Sequence, residues 1–443
     1  MKILILDVYP KKNYRISKDT SGGYGTGNDF GDTLVPTILK RILIKNSNWP
    51  PLFAAYTHSA LKKNGHDVKY SQKLPSNIKD FEIIVLVSSI VSYETEVKNI
   101  KVIRKNDITK KIFIIGPFVS SNPQLYEKYD VNLVIGEPEF LFFQEKNLSK
   151  IFDQKKILSS QKLTELEELP YPDWIDMGFN LAEINNLFGK TKSVPILGTR
   201  GCPFSCFKYC VYPLQQGRKV RQRNPKDIIA EIAYWKNNYK VNMFIFRDPV
   251  FSINRKHTIQ FCEELIKSNL KIKFVIETHL KILDQELIIL LKKSGLKGVK
   301  VGIESYSDNV LEEANRHTET KDQQLKKIND LHKNNIMVSA MYIIGFPEDN
   351  KNSIYATIKY AIKLNTSYAQ FSVWTPYPGT PVFNEYQDKI TTTIYENFTQ
   401  YQLVFKHKLL SELDVRKLLS LAYTKYYFRI SWLFKYLRLL IAK

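Results

Sequence analysis

Apolar residues fall in two series of short runs separated by amphipathic stretches, the pattern of strands alternating with helices in parallel α/β sheets. In the first series Ile3–Leu6, Val68–Tyr70, Ile83–Val87, Ile112–Ile115 and Leu133–Ile135 read as buried strands. Trp49–Asn64, closed by Gly65, Glu94–Arg104 and Pro123–Lys128 read as helices between them. Five such strands predict a doubly wound, Rossmann-like sheet that takes ligands at its C-terminal strand ends. Those ends hold Asp7, Ser88, Ser89, Gly116, Pro117, Gly136 and Glu137.

A polar segment, Lys155–Glu168, runs into LPYPDW at Leu169–Trp174, whose two prolines predict a linker. The second series has strands at Val194–Leu197, Met243–Phe246, Ile272–Ile276, Val299–Ile303, Met337–Ile344 and Gln370–Val373. Its helices are one opened by Asn224 and Pro225, then Thr258–Lys267, one capped by Asp284 and stopped by Gly295, Gln323–Asn334 and Asn352–Leu364. Six strand–helix units with right-handed crossovers predict a partial (β/α)6 barrel with its site at the strands' C-terminal ends. The expected division is an α/β domain at 1–150, a linker at 151–190, the barrel at 191–385 and a C-terminal helical extension at 386–443.

Composition changes this picture little. The 65 Lys and Arg against 44 Asp and Glu give a formal charge of +21, but the lysines are scattered, which reads as a solvated surface and not as a nucleic-acid site. No apolar run approaches the roughly 20 residues of a membrane span. MKILILDVYP at the start lacks a secretory signal pattern, so a cytoplasmic, reducing location is expected. In Ser411–Lys443 the charges Lys425, Arg429, Lys435 and Arg438 interrupt an aromatic, apolar helical pattern. Two readings stand for it: a helix lying peripherally on the inner face of a membrane, or a helix packed on the barrel with its basic side in water.

The four cysteines carry the chemistry. Cys262 sits with Ile259, Leu265 and Ile266 at helical spacing and reads as core, whereas Cys202, Cys206 and Cys210 crowd into GTRGCPFSCFKYCVYP just after the first barrel strand. Thiolates are soft ligands suited to zinc or iron–sulfur clusters. A structural zinc ion would normally have a fourth ligand, and the nearest histidines that follow, His257 and His279, are far off in sequence. Three thiolates suit a four-iron cubane with one iron left open. A spacing of i, i+4, i+8 would also suit three cysteines on one helix face, but Gly201, Pro203 and the preceding strand argue against a helix here.

With these residues in view, the chain resembles the radical S-adenosylmethionine (SAM) enzymes, in the branch with an N-terminal cobalamin-binding domain. The resemblance runs through VIGEPEF, LPYPDW, TRGCPFSC, RQRNPKDIIAEI, FRDPVF, IETHL, GLKGVKVGIES, YIIGFPED and TPYPGTPVF, in the family's order. It implies a [4Fe-4S] cluster on Cys202, Cys206 and Cys210, and SAM contacts at Tyr209, Asp248, Glu277, Glu304 and Gly345. It also implies cobalamin near Ser88, Ser89, Gly116 and Gly136, bound without a protein histidine on cobalt, because the family's D-x-H-x-x-G is absent and His66 in NGHDVKY reads as a turn residue. The family's usual glycine-glycine-glutamate is also absent around Asp248, and at the centre of the cysteine loop three residues, not two, separate Cys206 from Cys210. This is either a loop variant that keeps Tyr209 before the third cysteine or a sign of a lost cluster.

The resemblance implies reductive cleavage of SAM to a 5′-deoxyadenosyl radical, with cobalamin-dependent methyl transfer to an unactivated carbon or a phosphinate. A cyclase or rearrangement enzyme of the same architecture, or a binding protein without the cluster, are the alternatives. The expected partners are a small-molecule or lipid-linked substrate and an electron donor such as flavodoxin or ferredoxin, with no nucleic acid. The glycine-rich GGYGTGNDFGD at Gly22–Asp32 does not open a helix as a dinucleotide fingerprint must, and reads as an ordered loop covering the corrin or substrate.

Overall fold

The computed structural model describes residues 1–45, 48–154, 156–160, 165–179, 181, 185–186, 189–432 and 434. Its first sheet has six parallel strands: β1 (Lys2–Leu6), β2 (Asp67–Ser71), β3 (Ile83–Val87), β4 (Lys111–Ile115), β5 (Asn132–Ile135) and β6 (Ile157–Ser159). They are ordered β2-β1-β3-β4-β5-β6, a doubly wound order whose direction switches between β1 and β3. The central strand β3 is buried at every position, as a sheet covered on both faces requires.

Two features of this domain differ from the sequence reading. β6 lies in the segment read as linker; only Leu158 of its three residues is buried, so no apolar run marks it. The helix expected at Pro123–Lys128 is instead two 3₁₀ turns, Pro123–Leu125 and Glu127–Tyr129, after a short helix at Pro117–Ser121. Asn122 stands before a proline and is held out of helical geometry at φ −139°, so the two segments cannot join.

The second sheet is β7 (Ser193–Ile196), β8 (Met243–Phe246), β9 (Lys273–Glu277), β10 (Leu296–Glu304), β11 (Met337–Ile344) and β12 (Tyr368–Val373), all parallel and in chain order. β7 and β12 do not pair, so the barrel is partial. The helix caps follow the sequence. Asn224 accepts from the Lys226 N–H at the start of Pro225–Tyr239, and Asp284 accepts from the Leu287 N–H at the start of Gln285–Ser294. Gly295 stops the latter at φ 116°, where a Cβ would lie 2.3 Å from the Ile272 carbonyl oxygen. Cys262 is wholly buried in the core and accepts from the Ser294 hydroxyl at 3.4 Å.

The C-terminal helix Glu412–Tyr427, opened by a Ser411–Asp414 capping box, packs on the barrel. Its tyrosines serve the free edge of β12: the Tyr423 hydroxyl donates to the Phe371 carbonyl at 3.0 Å, and the Tyr427 hydroxyl to the Ala369 carbonyl at 2.7 Å. The N–H groups of the same two residues donate back to those hydroxyls, so an edge that would otherwise template strand pairing is closed. Arg429 folds onto the Tyr426 and Ile362 carbonyls, whereas Lys435 and Arg438 lie outside the described residues. Among the described residues, no helix is long and apolar enough to cross a membrane.

Candidate active site at the barrel mouth

The chain leaves β7 through Thr199–Arg200, which pairs antiparallel with Arg221–Gln222 to form the stem of the cysteine loop. Gly201 turns the chain at φ 87°, where a Cβ would sit 2.1 Å from the Lys219 carbonyl oxygen, so only glycine fits. Ser205–Lys208 is a single 3₁₀ turn, and the Cys210 N–H donates to the Cys206 carbonyl at 3.0 Å. The additional residue between these cysteines is thus absorbed in one turn of backbone, and the three cysteines do not share a helix face.

Cys202 and Cys206 are buried, and Cys210 is half-buried. Burial pushes all three thiols up, reinforced at Cys202 and Cys210 by the neighbouring thiols. Arg316 opposes this: its Nη1 lies 3.7 Å from the Cys206 sulfur and its Nη2 3.3 Å from the Glu304 carboxylate. Among the described residues, no three His, Cys, Asp or Glu side chains converge on a single ion. Cubane thiolates each take a separate iron and so stand apart by the width of the cluster. Soft sulfur donors in a buried loop with a cation beside them suit that cluster, which would hold the thiols ionised.

The structure brings most of the other expected residues to the same mouth. Tyr209 packs edge-on against Phe346, 6.0 Å between ring centres, next to Gly345 at φ 74°. Glu304 closes β10 at φ 64°, beside a register shift at Gly302. A Cβ on Gly302 would lie 2.4 Å from the Glu304 carboxylate. Glu277 ends β9 and is the register partner of Lys300. Burial pushes its carboxyl up against the pull of Lys300 and Arg247. Asp248 stands apart: it is wholly buried and accepts from the Gly198 N–H at 2.8 Å, which makes it a brace under the cysteine loop. Burial raises its carboxyl to about 7.

The positions expected to meet cobalamin lie at the C-terminal edge of the first sheet, but the chain's own atoms fill that edge. Ser88 and Ser89 are wholly buried; the Ser88 hydroxyl accepts from the Val119 N–H at 3.0 Å, and the Ser89 hydroxyl donates to the Tyr24 carbonyl at 2.5 Å. Gly116 abuts Phe53, and Gly136 abuts the Ser160 backbone. The glycine-rich loop, an ordered element as expected, lies over them: Ile16–Ser17 pairs with Thr26–Gly27, and Gly23 touches Phe53 and Pro117. The cleft left between the domains, lined by Asp19, Gly22, Arg200, Tyr212, Gln215 and Arg247, encloses about 50 Å³. Ser88, Ser89, Gly116 and Gly136 are not in its wall. His66 lies just before β2, at the opposite end of the sheet.

Several contributors were not legible in the sequence. Lys18, wholly buried, anchors the loop by reaching Asp7 at 3.0 Å, Glu96 at 3.2 Å and the Val87 carbonyl at 3.1 Å. Arg200 and Arg221, in the cysteine-loop stem, both pair with Glu137 after β5, and Arg200 pairs with Glu139 at 2.5 Å. This buried clamp joins the two domains. Arg316 follows a short helix far from the cysteines in the chain; Arg200, Arg221 and Glu137 lie within motifs read beforehand, but their pairing was not legible.

A partial parallel barrel with a three-cysteine loop at its mouth, preceded by a doubly wound domain, defines a class of SAM-cleaving enzymes. Residues 196–361 match the Radical SAM superfamily; this part of the chain is a radical SAM domain. An uncharacterized methyltransferase of Pyrococcus horikoshii is 28% identical over 433 residues, covering 90% of this chain and 91% of that protein. An anaerobic magnesium-protoporphyrin IX monomethyl ester cyclase of Rubrivivax gelatinosus is 26% identical over 388 residues, covering 79% and 69%. The solved structure of the radical SAM methyltransferase TsrM from Kitasatospora setae, with cobalamin and a [4Fe-4S] cluster bound, superposes with a TM-score of 0.60 at 16% identity, covering 88% of this chain and 75% of that one.

Proposed function

We propose that the protein is a radical SAM methyltransferase that uses cobalamin as methyl carrier and acts on an unactivated carbon or a phosphinate of a small molecule. The observation that carries this reading is the cysteine loop at the mouth of a barrel joined to a doubly wound domain, in a chain similar over most of its length to an uncharacterized methyltransferase. Bound there, the cluster and SAM would supply one-electron chemistry and hydrogen abstraction, and cobalamin would supply the methyl group.

The residues would divide the work as follows. Cys202, Cys206 and Cys210 hold the cluster, and Arg316 keeps a positive charge beside Cys206 and positions Glu304. Tyr209 and Gly345 line the space for SAM, Glu277 stands a row deeper beside Lys300, Asp248 braces the loop from below, and the glycine-rich loop covers the interdomain cleft. Admission of cobalamin near Ser88, Ser89, Gly116 and Gly136 requires that loop to move. The exposed Phe428, Ile430 and Phe434 beside exposed Lys425 support peripheral contact of the tail with the inner face of a membrane, and with it a lipid-linked substrate. A flavodoxin or ferredoxin would supply the electron, and the location would be cytoplasmic.

The test is product analysis of the anaerobically reconstituted protein given SAM, cobalamin and a candidate substrate. Formation of both S-adenosylhomocysteine and 5′-deoxyadenosine is expected. 5′-Deoxyadenosine alone would favour the second reading, a cyclase, which the similarity to the magnesium-protoporphyrin cyclase supports.

A further inference from the structure

Below the level of the cysteines the barrel lumen holds a second set of charges. Register pairs Glu277 on β9 with Lys300 on β10, and Lys300 with Ser339 on β11, so the three stand in one row across the sheet. Arg247 follows β8 on the adjoining strand and is held by its own N–H to the Ile196 carbonyl at 2.9 Å. From the first domain Asp19 reaches in to pair with Arg247, and Arg15 lies close enough for its charge to be felt at both. Three cations thus face two carboxylates, and burial already pushes the Glu277 carboxyl up and weakens its share of the compensation.

Two of the cationic groups are incompletely satisfied. The Nε of Arg247 is buried without a hydrogen-bond partner. Among the described residues, the Lys300 ammonium makes no ion pair; burial and the like charge of Arg247 push its pKa down. A lysine and an arginine close enough for each charge to act on the other, each with a donor left over, are better matched to an absent anion than to each other. The small interdomain cleft opens alongside, with Arg247 and Asp19 in its wall.

We propose that Arg247 and Lys300 bind an acidic group, a carboxylate or a phosphate, carried by the substrate. The inference rests on the radical SAM reading and adds a substrate class to it. The carboxylate of SAM is the competing anion, and the strand geometry argues against it. Arg316, which touches Cys206 and Glu304, and Arg218, which donates to the Pro203 carbonyl beside Cys202, are cations at the level of the cysteines. Lys300 lies four residues before Glu304 on β10, roughly 13 Å back along the strand at 3.3 Å per residue. An anion held there would anchor the far end of a substrate whose reacting carbon points towards the cysteine loop. Lys300 and Arg247 would then be specificity-determining residues, with Asp19 holding Arg247 in place across the domain junction.

The test uses the full chain, reconstituted and in parallel free of iron, with inorganic phosphate and succinate as probes and SAM titrated separately. Both probes are expected to bind and to raise the thermal midpoint. In Lys300→Met their affinity should fall about tenfold or more, the loss expected for a charge-assisted hydrogen bond, with SAM affinity unchanged and Lys300→Arg restoring much of the binding. Lys359→Met, at an exposed helix position, should match the wild type. Absence of probe binding to the wild type, or equal binding to Lys300→Met, would overturn the proposal. Competition between SAM and phosphate with SAM affinity lost in Lys300→Met would assign the row to the SAM carboxylate, which overturns the substrate assignment and leaves the radical SAM reading intact. Failure of that reading would show separately, as protein that takes up no iron yet still binds phosphate.

Discussion

Replacing Lys18 by methionine should release the glycine-rich loop and destabilise the first domain. The Lys18 ammonium is wholly buried between the Asp7 and Glu96 carboxylates, themselves wholly buried, at 3.0 and 3.2 Å. Methionine keeps most of the volume but leaves two carboxylates without their cation, and removal of one partner from a buried pair costs about 3–5 kcal/mol. The remaining partners soften the loss. Asp7 keeps the Tyr70 and Tyr9 hydroxyls at 2.7 and 3.0 Å, and Glu96 keeps the Ser89 N–H at 2.9 Å and the Tyr126 hydroxyl at 2.7 Å. We therefore expect a loss near the lower bound, ~3 kcal/mol. Urea unfolding of the first domain, with hydrogen exchange over residues 16–27, measures both the loss and the loosening. Lys18→Met combined with Asp7→Asn and Glu96→Gln should regain most of the stability, because no buried charge is then uncompensated. A loss under about 1 kcal/mol in the single variant, or no recovery in the triple, would refute the claim that this cation holds the loop down.

Other outcomes follow from the site. Cys202→Ala, Cys206→Ala and Cys210→Ala should each lower iron uptake from about four atoms per chain to near none on anaerobic reconstitution. Full iron in Cys210→Ala would remove that residue from the ligand set. Asp248 is raised from its ordinary 3.8 to about 7, so the stability it contributes is complete below pH 3.8 and is lost as pH rises through about 7. Compared with Asp248→Asn, which keeps the acceptor for Gly198, the wild type should lose up to ~4 kcal/mol between those limits; parallel unfolding curves in denaturation at acid and alkaline pH would contradict this. Glu137→Gln with Glu139→Gln strands the buried Arg200 and should cost about 3–5 kcal/mol and weaken docking of the cysteine-loop stem, seen as faster proteolysis between the domains. Gly201→Ala should fail to hold iron even when folded, because its Cβ would strike the Lys219 carbonyl; iron analysis after gel filtration decides it.

Local information was enough for nearly all of the scaffold. Buried runs such as Ile83–Val87 and caps such as Asn224 and Asp284 act within a few residues, so the strands and helices they define appear where the pattern puts them. β6 escaped because an edge strand of three residues needs only one buried side chain, and Pro123–Lys128 misled because the restriction on Asn122 outweighs the helical pattern that follows it. Packing of Glu412–Tyr427 on the barrel was not legible in the sequence, because Tyr423 and Tyr427 close the edge of β12, a strand more than fifty residues earlier.

The site divides along the same line. Cys202, Cys206 and Cys210, with the ordered motifs around them, were sufficient to indicate a radical SAM barrel, because a cluster loop is a contiguous stretch of chain. Tertiary structure alone decided how the additional residue before Cys210 is absorbed, that Asp248 braces the loop, and that the first domain's ligand edge is closed by its own loop. It also set Arg316 beside Cys206, Arg200 on Glu137 and Arg247 near Lys300. Charge pairs act through space and leave no periodicity in the chain, so their partners become visible only when folding removes the water between them.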